Sequence, residues 1–262
     1  MKLEGRVAVV TGAGRNIGEA IAMLLATEGA KVAVVDIDST RGDAVANAIG
    51  QSGGEAASFI ADVSNSDEVQ SLITAVVEKF GRIDILVNNV AVSDNRNVLE
   101  ITKEEWDRTI SVTLTAPFLM AKFVALQMVE QGSGGNIVNI GSTSGHRGRA
   151  RAVAYSAAKG GVANLTRSLA FQLAPHGIRV NTVSPNKTGS AVGQQDIDPD
   201  RPITNLSGRP GVPEDTARAV LFLVSDDSDF IIGQDIFADG GVCLLYTSPS
   251  PRDLSTSRMP SS

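Results

Sequence analysis

Short runs of branched apolar residues alternate along this chain with longer stretches whose apolar positions recur every three or four residues. Arg6–Thr11 reads as a strand, followed by a glycine-rich segment and a helical run to about Glu28. Lys31–Asp36 is Lys-Val-Ala-Val-Val-Asp, and near-continuous branched apolar sequence suits a parallel strand buried on both faces. Helix is predicted over Arg41–Ile49 and strand over Glu55–Ala61. Asp67–Phe80 places Val69, Leu72, Ile73, Val76, Val77 and Phe80 at helical spacing. Strand Asp84–Val87 runs into Asn88-Asn89, and Lys103–Gln131 is a long helical stretch that Pro117 should kink. Strand is predicted at Gly135–Gly141, helix at Ala152–Leu173, and strand again at Ile178–Ser184. A helix begins at Pro213, with Glu214 and Asp215 in its first turn, and Gln234–Ala238 is a last strand. Strand and helix alternating in this way predict an α/β fold built on one doubly wound parallel sheet of about seven strands, with helices on both faces.

Composition adds bounds rather than identity. The chain has 262 residues, 42% of them hydrophobic, enough for one domain with a sizeable core. Its net charge is −6, and no basic cluster suggests nucleic acid. Met1–Gly5 leads straight into the first strand, without the pattern of a signal peptide. No uninterrupted apolar run reaches the roughly 18 residues of a membrane span. The lone Cys243 excludes an intrachain disulfide framework. A soluble cytoplasmic protein is expected.

The last twenty residues stand apart. Cys243–Ser262 shifts to Ser, Pro and Thr without periodicity. CLLYTSPSPRD resembles the in-frame translation of a transposase-type sequencing-library adapter, and SRMPSS fits its continuation. The expected organisation is therefore a domain over residues 1–242, with residues 243–262 a non-native, disordered tail and the natural C-terminus missing. Without that tail the chain holds 21 basic and 28 acidic side chains, a net charge of −7, and no cysteine.

Candidate chemistry gathers at the ends of the predicted strands. Thr11-Gly12-x-x-Arg15-Asn16-Ile17-Gly18 joins a strand to a helix, the arrangement that cradles a pyrophosphate on backbone N–H groups. Asp36 ends the second strand, where a carboxylate can accept both hydroxyls of an adenosine ribose and repel a 2′-phosphate. That favours NAD over NADP, with Arg15 pulling mildly the other way. Tyr155 and Lys159 share a helix face, and an ammonium beside a phenol favours the phenolate. Ser142, at the end of the fifth strand, is placed to bond the same substrate oxygen. The paired Asn88-Asn89 suit a structural turn. His146, Arg147, Arg149 and Arg151 form a basic loop, either solvated or facing an anionic substrate or partner. Residues 189–210 are polar and aperiodic, and a loop of that length often acts as a lid.

Taken together, Thr11-Gly12…Gly18, Asp62-Val63, Asn88-Asn89, Ser142, Tyr155-x-x-x-Lys159, Arg179-Val-Asn-Thr-Val-Ser-Pro185 and Gly233-Gln…Asp239-Gly-Gly resemble the short-chain dehydrogenase/reductase family over residues 3 to 242. The resemblance implies a Rossmann-type fold and nicotinamide-dependent oxidation of an alcohol or reduction of a carbonyl. In it Tyr155 transfers the proton, and Lys159 binds the nicotinamide ribose and lowers the Tyr155 pKa. Ser142 holds the substrate oxygen. Asp62 and Val63 contact the adenine, and Asn88 the adenosine side. Pro185 and Thr188 or Ser190 lie by the nicotinamide. It also implies a homo-oligomer, tetramer or dimer, acting on a small alcohol or carbonyl.

Four positions depart from the family pattern. Asn16 replaces a glycine, although asparagine tolerates positive φ. Val90-Ala91 replace Ala-Gly, and Asn186 replaces a glycine. Thr113 stands where an asparagine usually orders a water relayed to the lysine, which predicts a weaker or rebuilt relay. The rival reading is a nucleotide-binding sensor or assembly protein with weakened catalysis. An enoyl reductase ranks lower, because its Tyr-to-Lys spacing is usually longer.

Overall fold

A computed structural model describes residues 1–189, 192 and 203–244. Ser190, most of the expected lid and all but the first residues of the expected tail lie outside the described residues. The strands are β1 (Val7–Thr11), β2 (Lys31–Asp36), β3 (Glu55–Ile60), β4 (Ile85–Asn88), β5 (Gly135–Ile140), β6 (Ile178–Pro185) and β7 (Asp235–Ala238). They form one sheet of order β3-β2-β1-β4-β5-β6-β7, and every pairing is parallel. The helices are α1 (Asn16–Thr27), α2 (Ser39–Gln51), α3 (Ser66–Phe80), α4 (Lys103–Ile110), α5 (Ala116–Gln131), α6 (Val153–Leu173) and α7 (Pro213–Val224).

Side chains alternate across a strand, so a sheet buried on both faces needs apolar residues of both parities. Val7 and Val9 of β1 belong to one core with Leu72 and Val76 of α3 and Met120 and Val124 of α5. Ala8 and Val10 belong to the opposite core, with Ile21 and Leu25 of α1, Val45 of α2 and Val220 of α7. The order in which strands are added to the sheet reverses between β1 and β4, since β2 and β3 lie on one side of β1 and β4 to β7 on the other. Ligands of open α/β sheets bind at that reversal, beyond the carboxyl ends of the strands.

The break at Pro117 takes a form the sequence reading did not anticipate. Between α4 and α5 lies a π-helical turn, Ser111–Thr115, and Pro117 enters α5 in its first turn. There its missing N–H is unneeded. The wider turn relieves the clash its ring would make with the carbonyl four residues back, at Thr113. By length and composition alone the continuous Lys103–Gln131 run would suffice to cross a membrane. In the fold Met120, Val124 and Met128 are fully buried against the sheet.

A buried polar chain fastens α6 to the sheet. Asn88 Nδ2 donates to Asn139 Oδ1 (2.9 Å), Asn139 Nδ2 donates to Thr166 Oγ1 (2.9 Å), and the Thr166 and Thr182 hydroxyls lie 2.8 Å apart. These bonds link β4, β5, α6 and β6. Low dielectric strengthens such bonds when satisfied, so the helix carrying Tyr155 is held in one register.

Candidate active site

The loop after β1 is built on positive-φ positions. Gly12 has φ 61°, and Asn16 holds φ 53°, so the turn survives the replacement of glycine by asparagine. Gly18 allows no side chain, because a Cβ there would lie 2.0 Å from the Gly12 carbonyl oxygen. Arg15 is extended and leads into the N-terminus of α1. Asn89 Nδ2 donates to the carbonyls of Thr11 and Gly12, both at 3.1 Å. The Thr11 hydroxyl donates to Val87 O and accepts from Asn89 N–H. The β1 and β4 ends are thus bound to each other across the switch point.

A cleft of about 690 Å³ opens there. Its walls include Gly12, Arg15, Asn16, Ile17, Asp36, Asp62, Val63, Ser142, Tyr155, Lys159, Pro185 and Thr188, all expected from the sequence. Thr11, Gly18, Asn88 and Thr113 do not line it. Thr11 and Gly18 shape the loop from behind. Asn88 was expected on the adenosine side but turns into the core toward Asn139; its neighbour Asn89 is the one in the wall. Thr113 is fully buried and makes a two-way bond with the Val92 backbone. Its hydroxyl donates to Val92 O at 3.0 Å and accepts from Val92 N–H at 3.1 Å. One hydroxyl therefore fills both a donor and an acceptor role at the start of the loop after β4.

At the far end of β2 the Asp36 carboxylate is almost fully buried. It accepts from Gly14 N–H (2.9 Å) and Asp38 N–H (3.0 Å), and pairs with Arg41 at 3.3 Å. Gly14 is confined, since a Cβ there would lie 2.7 Å from Asp36 Oδ2. Arg41 also lines the cleft, a position the sequence reading passed over. Its only sequence signal was a cation one helical turn past the end of the second strand. Asp62 is held by Ser64, whose N–H and hydroxyl both donate to its Oδ1.

At the other end of the cleft stand Ser142, Tyr155 and Lys159. Tyr155 and Ser142 line the same end of the cleft. Burial pushes the phenol above its ordinary pKa, while the nearby Ser142 side chain and the charge of Arg149 pull it back. Lys159 lies one turn behind; its Nζ is 5.8 Å from the Tyr155 ring centroid and donates to Ile140 O at 2.6 Å. Burial lowers the Lys159 pKa to about 8. The dominant influence on the phenol is thus desolvation, and the charge that opposes it is that of Arg149 rather than the expected Lys159 ammonium. Asn186 Nδ2 donates to Thr143 Oγ1 at 2.6 Å, joining the end of β6 to the serine segment.

The start of α6 has an unforeseen support. Ala152 sits at its N-cap with φ 70° and no side chain able to cap. Asp94, in the loop after β4, supplies the cap from afar: its carboxylate accepts from Tyr155 N–H (3.0 Å) and Ala154 N–H (3.4 Å). Ala152 N–H donates to Arg96 O at 2.7 Å. A carboxylate at a helix N-terminus satisfies orphan donors and meets the positive end of the dipole. Sixty-one residues separate Asp94 from Tyr155, and nothing in local spacing signals the contact.

A parallel sheet wound on both sides, a glycine loop at its switch point and a Ser–Tyr–Lys group on the same cleft define a dinucleotide-binding α/β oxidoreductase. A family model described as "Enoyl-(Acyl carrier protein) reductase" matches residues 12–243. An uncharacterized oxidoreductase of Bacillus subtilis is 39% identical over 95% of this chain and 94% of its own length. D-threitol dehydrogenase of Mycolicibacterium smegmatis is 38% identical over 92% of this chain and 94% of its own. A 3-oxoacyl-[acyl-carrier-protein] reductase of Thermotoga maritima is 36% identical over 93% of this chain and all of its own. Among solved structures, a short-chain type dehydrogenase/reductase from Mycobacterium marinum superposes with a TM-score of 0.84 at 33% identity, covering 92% of this chain and 96% of that one. The chain belongs to the short-chain dehydrogenase/reductase family, whose members use nicotinamide cofactors.

Proposed function

We propose that the protein transfers a hydride between NAD and a secondary alcohol or ketone, with Tyr155 as general acid/base. The observation that carries this reading is that Ser142, Tyr155 and Lys159 line one end of a cleft whose other end is the glycine loop and Asp36. The residues fit a dinucleotide. Gly12 lines the cleft at positive φ, Gly18 lets the loop close tightly on itself, and the α1 N-terminus offers N–H groups to a pyrophosphate. Asp36 would take the adenosine ribose, and its charge opposes a 2′-phosphate. Asp62 and Val63 would flank the adenine, while Lys159, Pro185 and Thr188 would hold the nicotinamide side. When bound, the cofactor supplies or accepts the hydride.

The protein's part is position and a proton. Ser142 would donate to the same substrate oxygen that Tyr155 reaches. Because burial keeps the phenol protonated, Tyr155 is a proton donor in the reducing direction at neutral pH. In the oxidising direction the same phenol must lose its proton, and the charge of Arg149 favours that loss. The four-residue Tyr155–Lys159 spacing supports carbonyl rather than enoyl chemistry. The test follows NADH consumption with a ketone panel. Tyr155→Phe should reduce turnover at least about 100-fold, the ordinary reach of general acid catalysis, and leave NADH binding intact. Fluorescence-detected NADH binding with no turnover of any ketone or alcohol by the wild type would favour the sensor reading.

A further inference from the structure

We propose that the substrate carries an anionic group, a carboxylate or a phosphate, close to the carbon that reacts. The proposal rests on reading this cleft as the oxidoreductase site and names the class of molecule it takes.

Cations line both ends of the cleft, Arg15 and Arg41 beside Asp36 included, but carboxylates line only one end of its described wall. Beyond Ser142 and Tyr155 its wall carries Arg147 and Arg149 from the loop after β5 and Arg108 from α4. The only carboxylates in the described wall, Asp36 and Asp62, stand at the opposite end, after β2 and β3. None of the three arginines has an ion pair among the described residues, although this is a protein of net charge −6.

The arginine loop is also fastened in place. At its start the His146 ring packs edge-on against Phe237, centroids 4.8 Å apart, and its Nε2 lies 2.8 Å from Asp235 Oδ2 on β7. Near its end an Arg149 guanidinium nitrogen donates to Ser144 Oγ at 2.9 Å, two residues from Ser142. Arg147 and Arg149 are exposed, so these anchors set the loop's position while its charges stay open to an incoming anion. The pyrophosphate of a dinucleotide does not account for these cations, because its cradle is the Gly12–Gly18 loop after β1, whereas the arginines follow β5. What remains for them to meet is the substrate. A guanidinium is a planar fork of donors matched to carboxylate and phosphate, and in a cleft with low-dielectric walls it both steers and orients an anion.

The experiment compares matched substrates on the full-length protein with NAD or NADH. 3-Hydroxybutanoate is set against 2-butanol, and glycerol 3-phosphate against glycerol, so the two arms separate carboxylate from phosphate. In the wild type kcat/KM should favour the anionic member of one pair by about 10-fold or more, and the preference should shrink as salt is raised. In the Arg147→Gln/Arg149→Gln double variant the ratio should fall toward parity. Equal or better use of the neutral members, or a preference that survives in the double variant, overturns the proposal. A second readout needs no turnover: acetoacetate against acetone, titrated into the NADH-loaded protein and followed by nicotinamide fluorescence. Acetoacetate binding that is lost in the double variant, with no turnover of any pair, sinks the oxidoreductase reading and leaves the anion site standing. Turnover without anion preference does the reverse. No turnover and no anion-selective binding sink both.

Discussion

Lys159 is a cation with no carboxylate beside it, wholly buried and bonded to one carbonyl oxygen. Its pKa is about 8 in the fold against an ordinary 10.5. Between those values the unfolded chain binds a proton that the folded chain has released, so stability rises with pH there. The slope is about 1.4 kcal/mol per pH unit, and below the lower value the penalty of the buried charge is constant. Wild type should therefore gain stability relative to Lys159→Met as pH rises from about 8 to about 10. Denaturant unfolding at several pH values measures this, and a difference that stays flat would mean the ammonium is solvated. At the other end of the cleft, Asp36 is the residue we propose to set the cofactor. Its carboxylate neutralises Arg41, and Arg15 stands near. Asp36→Ala should remove the repulsion and leave those cations for a 2′-phosphate, lowering the NAD-to-NADP ratio of kcat/KM by about 10-fold or more. An unchanged ratio would assign cofactor choice elsewhere.

At the scale of elements, α6 depends on a residue outside it. Asp94 caps it at the turn that carries Tyr155, and the polar chain from Asn88 to Thr182 holds its middle. Asp94→Ala should cost about 1 kcal/mol of stability, the usual worth of a cap, and lower kcat by about 10-fold through a displaced phenol. Asp94→Asn keeps an acceptor and should restore most of both. Loss of stability without any change in kcat would make Asp94 structural only. Helix periodicity revealed α6 and the Tyr155–Lys159 pair on its first turns, because the two are neighbours on one helix face. It could not reveal the cap, which reaches the helix from the loop after β4. The π turn before α5 was hidden for a similar reason: Pro117 announces a disturbance, but how the backbone absorbs it depends on what Thr113 meets.

At the scale of the molecule, large apolar side chains remain outside both cores. Phe118, Leu126 and Val129 on α5 and Phe171 on α6 are exposed, Phe171 at 87%. We propose a homo-oligomer, tetramer or dimer, that covers them, since contiguous exposed apolar surface marks interaction sites. Light scattering after size exclusion should give a mass of two or four chains, and Phe171→Glu should shift it toward one; a wild-type monomer at micromolar concentration would refute this. Residue order along the chain was sufficient for the alternation of strands and helices, for the glycine turn, and for the Ser142, Tyr155 and Lys159 group. Each of those is written in spacing over a few residues, and burial on both faces of β1 and β2 follows from their uninterrupted apolar sequence. Tertiary packing alone decided that Asn89 rather than Asn88 faces the cleft, that Arg41 stands against Asp36, and that Asp94 caps α6. It also brought Arg108, Arg147 and Arg149 to one end of the cleft and Asp36 and Asp62, with Arg15 and Arg41, to the other. Those relations join segments distant along the chain, and their energies come from burial and charge at contacts that exist only once the sheet has assembled.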